Sequence, residues 1–449
     1  MTVRERLIAG TTAAGLGPLI TAFIQLVSVP AFMRTWGAHT YGEWLLMSAV
    51  PTYLSVTDMG FGSVAGNDMA MRIAAGDRAG AVETFQSTWV LVTSLSLFFA
   101  AVVSAILLTV PLAQYLNITS IPPTQVRLVI AFLSIYSLAS LQSGMLLSGF
   151  RSDGYYALGT ASINAMRLVE NVATLALLMF RGEPVCVAMA AALIRSAGTV
   201  LLYFVLIKKL SWMETGMGRA SLRRAKELIR PAVAFTAFPA GNALSIQGMT
   251  IVVGCTLGPI AVATFNPMRT LSRSAYQIID AIKNAVWPEL SAAYGARNWP
   301  LARKLHRACC QVAFWLACIA VIALSILGPT IFRLWTHGRV AMDVRCFYIL
   351  LATVIASSLW STSSAVSIAA NLHEHLAILY LAGTAGSLMV ALFLMPRFNM
   401  AGAATALLAA DIWMGCFVIR GSNLLLNDNT SDFMRSMFGF PSLRVLTAR

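Results

Sequence analysis

The feature that constrains this chain most is a succession of apolar runs, each about 20 residues long and separated by short polar breaks, over nearly its whole length. In hydrocarbon a backbone N–H or C=O has no water to bond, so only a complete helix or a closed barrel satisfies every such group. The alternating pattern of a barrel strand is absent, which leaves helices. Six runs fall between Leu7 and Ile207 and six between Ala232 and Val418. Composition excludes a soluble alternative: 58% of the residues are hydrophobic and 11% charged, too little polar surface to coat a globule of 449 residues. The expected fold is therefore an all-α integral membrane protein of about 12 transmembrane helices.

Lys and Arg set the expected orientation, because short cytoplasmic loops collect them. With the amino terminus inside, about 21 basic residues fall on the cytoplasmic side, about 7 outside and about 4 within helices, so both termini are expected to be cytoplasmic. Met1 to Arg6 is short and basic, but the apolar run behind it is too long for a cleavable signal and leads into further spans. The net charge of +14 is dispersed over loops and tail, which reads as contact with anionic membrane lipids rather than with nucleic acid. Seven cysteines lie scattered in apolar runs without metal-ligand spacing and read as packing residues. His373-Glu374-His375 offers too few ligands for a metal, so no metal or cofactor is expected.

The basic stretch Lys208 to Arg230 divides the chain, giving an expected six-helix bundle at 1–210, a cytoplasmic connector at 211–230, a second six-helix bundle at 231–420 and a tail at 421–449. The halves carry a weak internal repeat in which Gly37 falls on Gly258 and Asp77 on Asn298. Thr35-Trp36-Gly37 and Gly76-Asp77-Arg78 in the first half thus answer Thr256-Leu257-Gly258 and Arg297-Asn298-Trp299 in the second. An even number of helices per half keeps the halves parallel, and such repeats usually surround a central cavity and alternate access by rocking. Phe433, Met434, Met437, Phe438 and Phe440, mixed with Arg435 and Arg444, read as an amphipathic tail lying on the inner leaflet.

Around the second span the residues become specific: Tyr41-Gly42-Glu43-Trp44, Tyr53-Leu54-Ser55, Asp58-Met59-Gly60-Phe61-Gly62 and Asn67. The second half offers Phe265-Asn266-Pro267 through Trp287-Pro288-Glu289-Leu290 to Asn298. In these stretches the chain resembles the polysaccharide transporters, or O-antigen flippases, of the multidrug/oligosaccharidyl-lipid/polysaccharide exporter superfamily. The specific motifs fill roughly a quarter of the chain; elsewhere the likeness is one of hydropathy. The resemblance implies a V-shaped pair of bundles that moves an undecaprenyl-diphosphate-linked oligosaccharide across the bacterial inner membrane for lipopolysaccharide O-antigen or other surface polysaccharide, beside polysaccharide polymerase partners. The alternative within the same superfamily is a proton- or sodium-coupled multidrug exporter. Asp77-Arg78-Ala79-Gly80 is similar to the major facilitator signature only in part, because Ile73 stands where that signature wants Gly, and Ala81 and Val82 where it wants a basic pair.

A flippase breaks no covalent bond, so it is read as a transporter and not an enzyme. The residues of interest are then charges inside spans, which are costly unless they face protein or water. On the eighth span Arg269, Arg273 and Asp280 share one helical face. Two guanidinium groups one turn apart suit a diphosphate, while the structural alternative is snorkelling to headgroups. Arg167 and Glu170 on the fifth span can neutralise each other, and Arg195 on the sixth either pairs with Glu170 or lines the cavity. Arg269, Arg273, Arg195 and Arg167 are therefore the candidate substrate-binding residues. Asp58, Glu170, Asp280 and Asp411 are candidates for ion coupling by H+ or Na+, or for structural roles. Pro30, Pro51, Pro239, Gly241 and Pro267 interrupt spans where bending between states is expected.

Overall fold

A computed structural model of the chain describes residues 3–56, 60–214, 216–370 and 373–439. Asp58 and the side chain of Asp280 lie outside the described residues. The elements, in order, are α1 (Val3–Val56), α2 (Phe61–Ala74), α3 (Arg78–Thr109), the single turn α4 (Leu112–Tyr115), α5 (Pro123–Ser152), α6 (Tyr156–Met179) and α7 (Pro184–Lys209). They continue as α8 (Leu222–Ala243), a π-helical turn (Leu244–Gly248), α9 (Met249–Leu257), α10 (Pro259–Gly295), α11 (Trp299–Trp335), α12 (Val344–Ala369), α13 (His373–Leu425) and α14 (Thr430–Phe438). Seven helical stretches among the described residues are long and apolar enough to cross a membrane. Two elements contain a break: α1 turns at Gly37 and α13 at Asn399, each leaving two arms where the sequence shows two spans.

The protein is an all-α, multi-pass membrane protein of two compact units, Met1–Ala243 and Leu244–Arg449. The basic connector feeds α8, which packs on α1, α2 and α3 within the first unit. What fastens it there is charge: Arg224 donates to Asp68 Oδ2 of α2 and to Glu227, and Arg72 donates to Asp68 (3.0 Å) and Asp77 (2.7 Å). Burial raises the Asp68 pKa, but hydrogen bonds from Arg224 and Thr84, with the charges of Arg224 and Arg72, outweigh it and hold the carboxyl below its ordinary value.

The repeat is visible in the backbone. Gly37 (φ 77, ψ 170) and Gly258 (φ 86, ψ 174) turn the chain between consecutive spans in a conformation available essentially to glycine. Gly76 (φ 80) and Arg297 (φ 53) each end a helix left-handed. The Asp77 N–H then reaches back to Arg72 O (2.8 Å) and the Asn298 N–H to Ala293 O (2.9 Å). Asp77 and Asn298 next cap the following helix, accepting from the Gly80 N–H (2.8 Å) and the Leu301 N–H (3.2 Å). In the Asp77-Arg78-Ala79-Gly80 stretch, the aspartate is therefore a helix cap.

In the tail, Phe440 and Arg444 lie outside the described residues. α13 runs to Leu425, and α14 lays Phe433 and Met437 against α11, where both are buried with Cys310. Phe433 stacks on His306 at 5.0 Å, so the apolar face of α14 serves protein packing, and Met434 and Phe438 remain exposed. The glutamate of Tyr41-Gly42-Glu43-Trp44 is buried and accepts from the Thr119 (2.6 Å) and Ser120 (2.7 Å) N–H groups, tying α1 to the loop before α5.

Candidate functional site

In the first unit the charged residues of α6 and α7 meet. Arg195 is buried and donates to Glu170 Oε2 at 2.7 Å and to the Tyr136 hydroxyl at 2.9 Å, with its guanidinium 4.9 Å from the Tyr136 ring centre. Tyr136 donates in turn to Glu170 (3.2 Å), which closes a three-membered network across α5, α6 and α7. Asn171, one residue on, donates to Ser28 of α1 (2.7 Å). Glu170 thus takes Arg195 rather than Arg167 as its partner, and Arg167 is exposed. The enclosed pair joins α5, α6 and α7.

The second unit holds the cluster of greater interest. Its scaffold is the π-helical turn Leu244–Gly248, five residues beyond Pro239, where the widened ladder changes which carbonyls are available. Arg269, on α10 and buried, donates from Nη2 to Ser245 Oγ (2.9 Å) and from Nη1 to Ile246 O (3.4 Å). Tyr380 of α13 shares a hydrogen bond with Ser245 and packs its ring 5.4 Å from Trp360 of α12. Trp360 donates its indole N–H to Asp411 (2.9 Å) on the second arm of α13. Arg269, Arg273, Tyr380 and Asp411 lie within electrostatic reach of one another. Arg273, one turn along α10 from Arg269, is half-buried with its guanidinium 6.0 Å from the Tyr276 ring centre. Among the described residues, the cluster carries two guanidinium groups against one carboxylate.

No family model and no curated protein matches this chain. Solved structures do match. One is an inward-facing conformation of a multidrug resistance MATE family transporter of the MOP superfamily, with TM-score 0.75, 14% identity, and coverage of 92% of this chain and 96% of that one. Another is a MATE transporter in a bent conformation (TM-score 0.61, 14% identity, 98% and 100% covered). A third is a MOP superfamily transporter from Pyrococcus furiosus Vc1, described as having a binding pocket of reverse polarity that suggests a different function (TM-score 0.58, 14% identity, 94% of both chains covered). The fold is that of the MOP superfamily transporters.

Within that MOP fold, sequence reasoning found Arg269, Arg273 and Asp411 and missed the groups that bind them together. Ser245, Tyr380 and Trp360 are unremarkable where they stand in apolar runs, and only the packing of α13 on the π-helical turn and of α12 on α13 brings them to one place. The π-helical turn itself carries the local hint of Pro239 and Gly241 shortly before it. The motif residue Asn266 has a packing role: its Oδ1 accepts from Thr250 Oγ1 (3.1 Å), joining α9 to α10.

Proposed function

We propose that this chain is an alternating-access exporter of an anionic amphiphile, an undecaprenyl-diphosphate-linked oligosaccharide, which it carries across the bacterial inner membrane with both of its own termini cytoplasmic. The observation that carries this reading is the charge of the α10 cluster: Arg269 and Arg273 against Asp411, once Arg195 has been spent on Glu170. A cationic drug would meet net repulsion there, whereas the roughly −2 charge of a diphosphate would meet attraction, strengthened because few ions or waters screen it inside a membrane. Arg273 is the residue free to present a planar fork to phosphate oxygens, because it is partly exposed while Arg269 is held by Ser245 and Ile246. A MOP fold is compatible with different pocket charges, as the description of the Pyrococcus furiosus transporter indicates for that protein.

The second reading, a proton- or sodium-coupled multidrug exporter, is favoured by the matching MATE transporters, whose descriptions concern multidrug resistance. Asp411, tied to Trp360, would then be the ion-responsive group. Deleting the gene and locating lipid-linked oligosaccharide across the leaflets separates the two. Accumulation on the cytoplasmic leaflet is expected; normal lipid distribution with drug hypersensitivity would establish the exporter of drugs instead.

A further inference from the structure

Away from the α10 cluster, the N-terminal turns of α11 form a pocket of about 480 Å³ with Arg303, Lys304, Arg307 and Gln311 in its wall. Arg307 is fixed by two hydrogen bonds to Asp428, between α13 and α14. Arg303 bonds only the Trp299 carbonyl (3.3 Å), and neither it nor Lys304 has a carboxylate partner among the described residues. Cation density thus exceeds what the local acids neutralise.

The same helix continues in a way that free phosphate would not need. At 100° per residue, Lys304, Gln311, Trp315, Ile322 and Ile326 fall within about 60° of one another, so one face of α11 passes from cation through amphipathic to aliphatic side chains. Ile322 and Ile326 are 60% and 72% exposed, with Ile319 beside them at 60%. From Lys304 the helix rises about 17 Å to Trp315 and about 23 Å to Ile319, roughly the depth of a headgroup and the acyl chains of one leaflet, so Ile322 and Ile326 lie beyond that leaflet. α14 lies against Gln311 at the edge of the pocket: Gln311 Nε2 donates to Ser436 O and, just past the helix, to Gly439 O (both 2.7 Å), Trp315 Nε1 donates to Gly439 O (2.9 Å), and Phe438 packs edge-on to Phe314. Met434 and Phe438 of α14 are exposed.

We infer that α11, flanked by α14, forms a binding site for an anionic phospholipid, with the phosphate held by Arg303 and Lys304 and the acyl chains laid along Trp315 and Ile319. A zwitterionic lipid satisfies the apolar stripe but adds its own cation to a cationic pocket; a soluble anion satisfies the pocket but not the stripe. The site is independent of the cargo proposed above.

The test uses the full-length protein in phosphatidylcholine nanodiscs doped with phosphatidylglycerol, with bound lipid counted by native mass spectrometry. The double variant Arg303→Gln/Lys304→Gln should lose phosphatidylglycerol affinity by about thirtyfold, as expected for two membrane-facing cations. Arg303→Lys/Lys304→Arg, which keeps both charges, should retain it. Equal phosphatidylglycerol retention by the Gln variant, at unchanged melting temperature, would overturn the inference. So would displacement of the lipid by millimolar inorganic phosphate, which would show a site for a soluble anion; failure of phosphate to compete supports the lipid.

Discussion

Gly37 and Gly258, 221 positions apart, hold nearly the same backbone, φ 77 and ψ 170 against φ 86 and ψ 174. A side chain at either would meet no atom within 4 Å, so the glycine is required by conformation and not by crowding. Gly37→Ala and Gly258→Ala should each cost about 1–3 kcal/mol through the forbidden dihedral alone. Thermal unfolding in detergent should show both transitions lowered, and Gly386→Ala, inside α13 with open space and ordinary φ, should leave the transition unchanged or raise it.

This pair also marks how much the sequence discloses. The spans, the repeat and the Asp77/Asn298 correspondence were legible because they rest on local physics: apolar length, glycine conformation and helix capping. Arg195 with Glu170 was readable only as one of two choices, since Arg167 stands three residues from Glu170 and Arg195 comes from another helix. The surroundings of Arg269 were not legible at all. Ser245 bonds it from the π-helical turn, and Tyr380 and Trp360 join through Ser245 and Asp411 from two further helices, a meeting that no spacing along the chain encodes. The tail shows the same limit: an amphipathic helix looks alike whether its apolar face meets lipid or, as Phe433 and Met437 do, meets α11.

The Arg195–Glu170 pair predicts strong coupling. Removing either partner leaves a buried charge unmatched, at about 3–5 kcal/mol, whereas removing both avoids that penalty. Glu170→Gln and Arg195→Gln should each lower the yield of folded protein sharply. The double variant should recover much of the loss, and strictly additive effects in the double-mutant cycle would contradict the enclosed pair.

The α8 attachment should depend on pH with a defined sign. Asp68 has its carboxyl lowered in the folded protein, so its stabilising share is present above the unfolded value and is lost as pH falls through the folded one. Wild type should therefore exceed Asp68→Asn in melting temperature at neutral pH, and the gap should close below about pH 4, the unperturbed aspartate value. A gap constant from pH 7 to pH 3 would remove the ionised Asp68 from the account of how α8 is held.

The two arginines of α10 should separate structure from transport. Arg269 is buried and its fork spans Ser245 Oγ and Ile246 O, so Arg269→Lys, with a single ammonium in place of a planar group, should destabilise the π-helical turn and lower the melting temperature. Arg273 is partly exposed and rests only against the Tyr276 ring among its described contacts, so Arg273→Ala should leave melting and membrane insertion near wild type. If Arg273 grips a diphosphate, however, the alanine variant forfeits charged hydrogen bonds worth about 1.5–3 kcal/mol, and polysaccharide export should fall by one to two orders of magnitude. Arg273→Lys should restore little, because an ammonium cannot bond two phosphate oxygens in parallel. A headgroup-seeking side chain would instead tolerate lysine fully and alanine nearly so, since any cation on a long stem serves. Wild-type export by Arg273→Ala would thus dismiss the diphosphate contact while leaving the MOP fold, the Arg269 anchor and the repeat untouched.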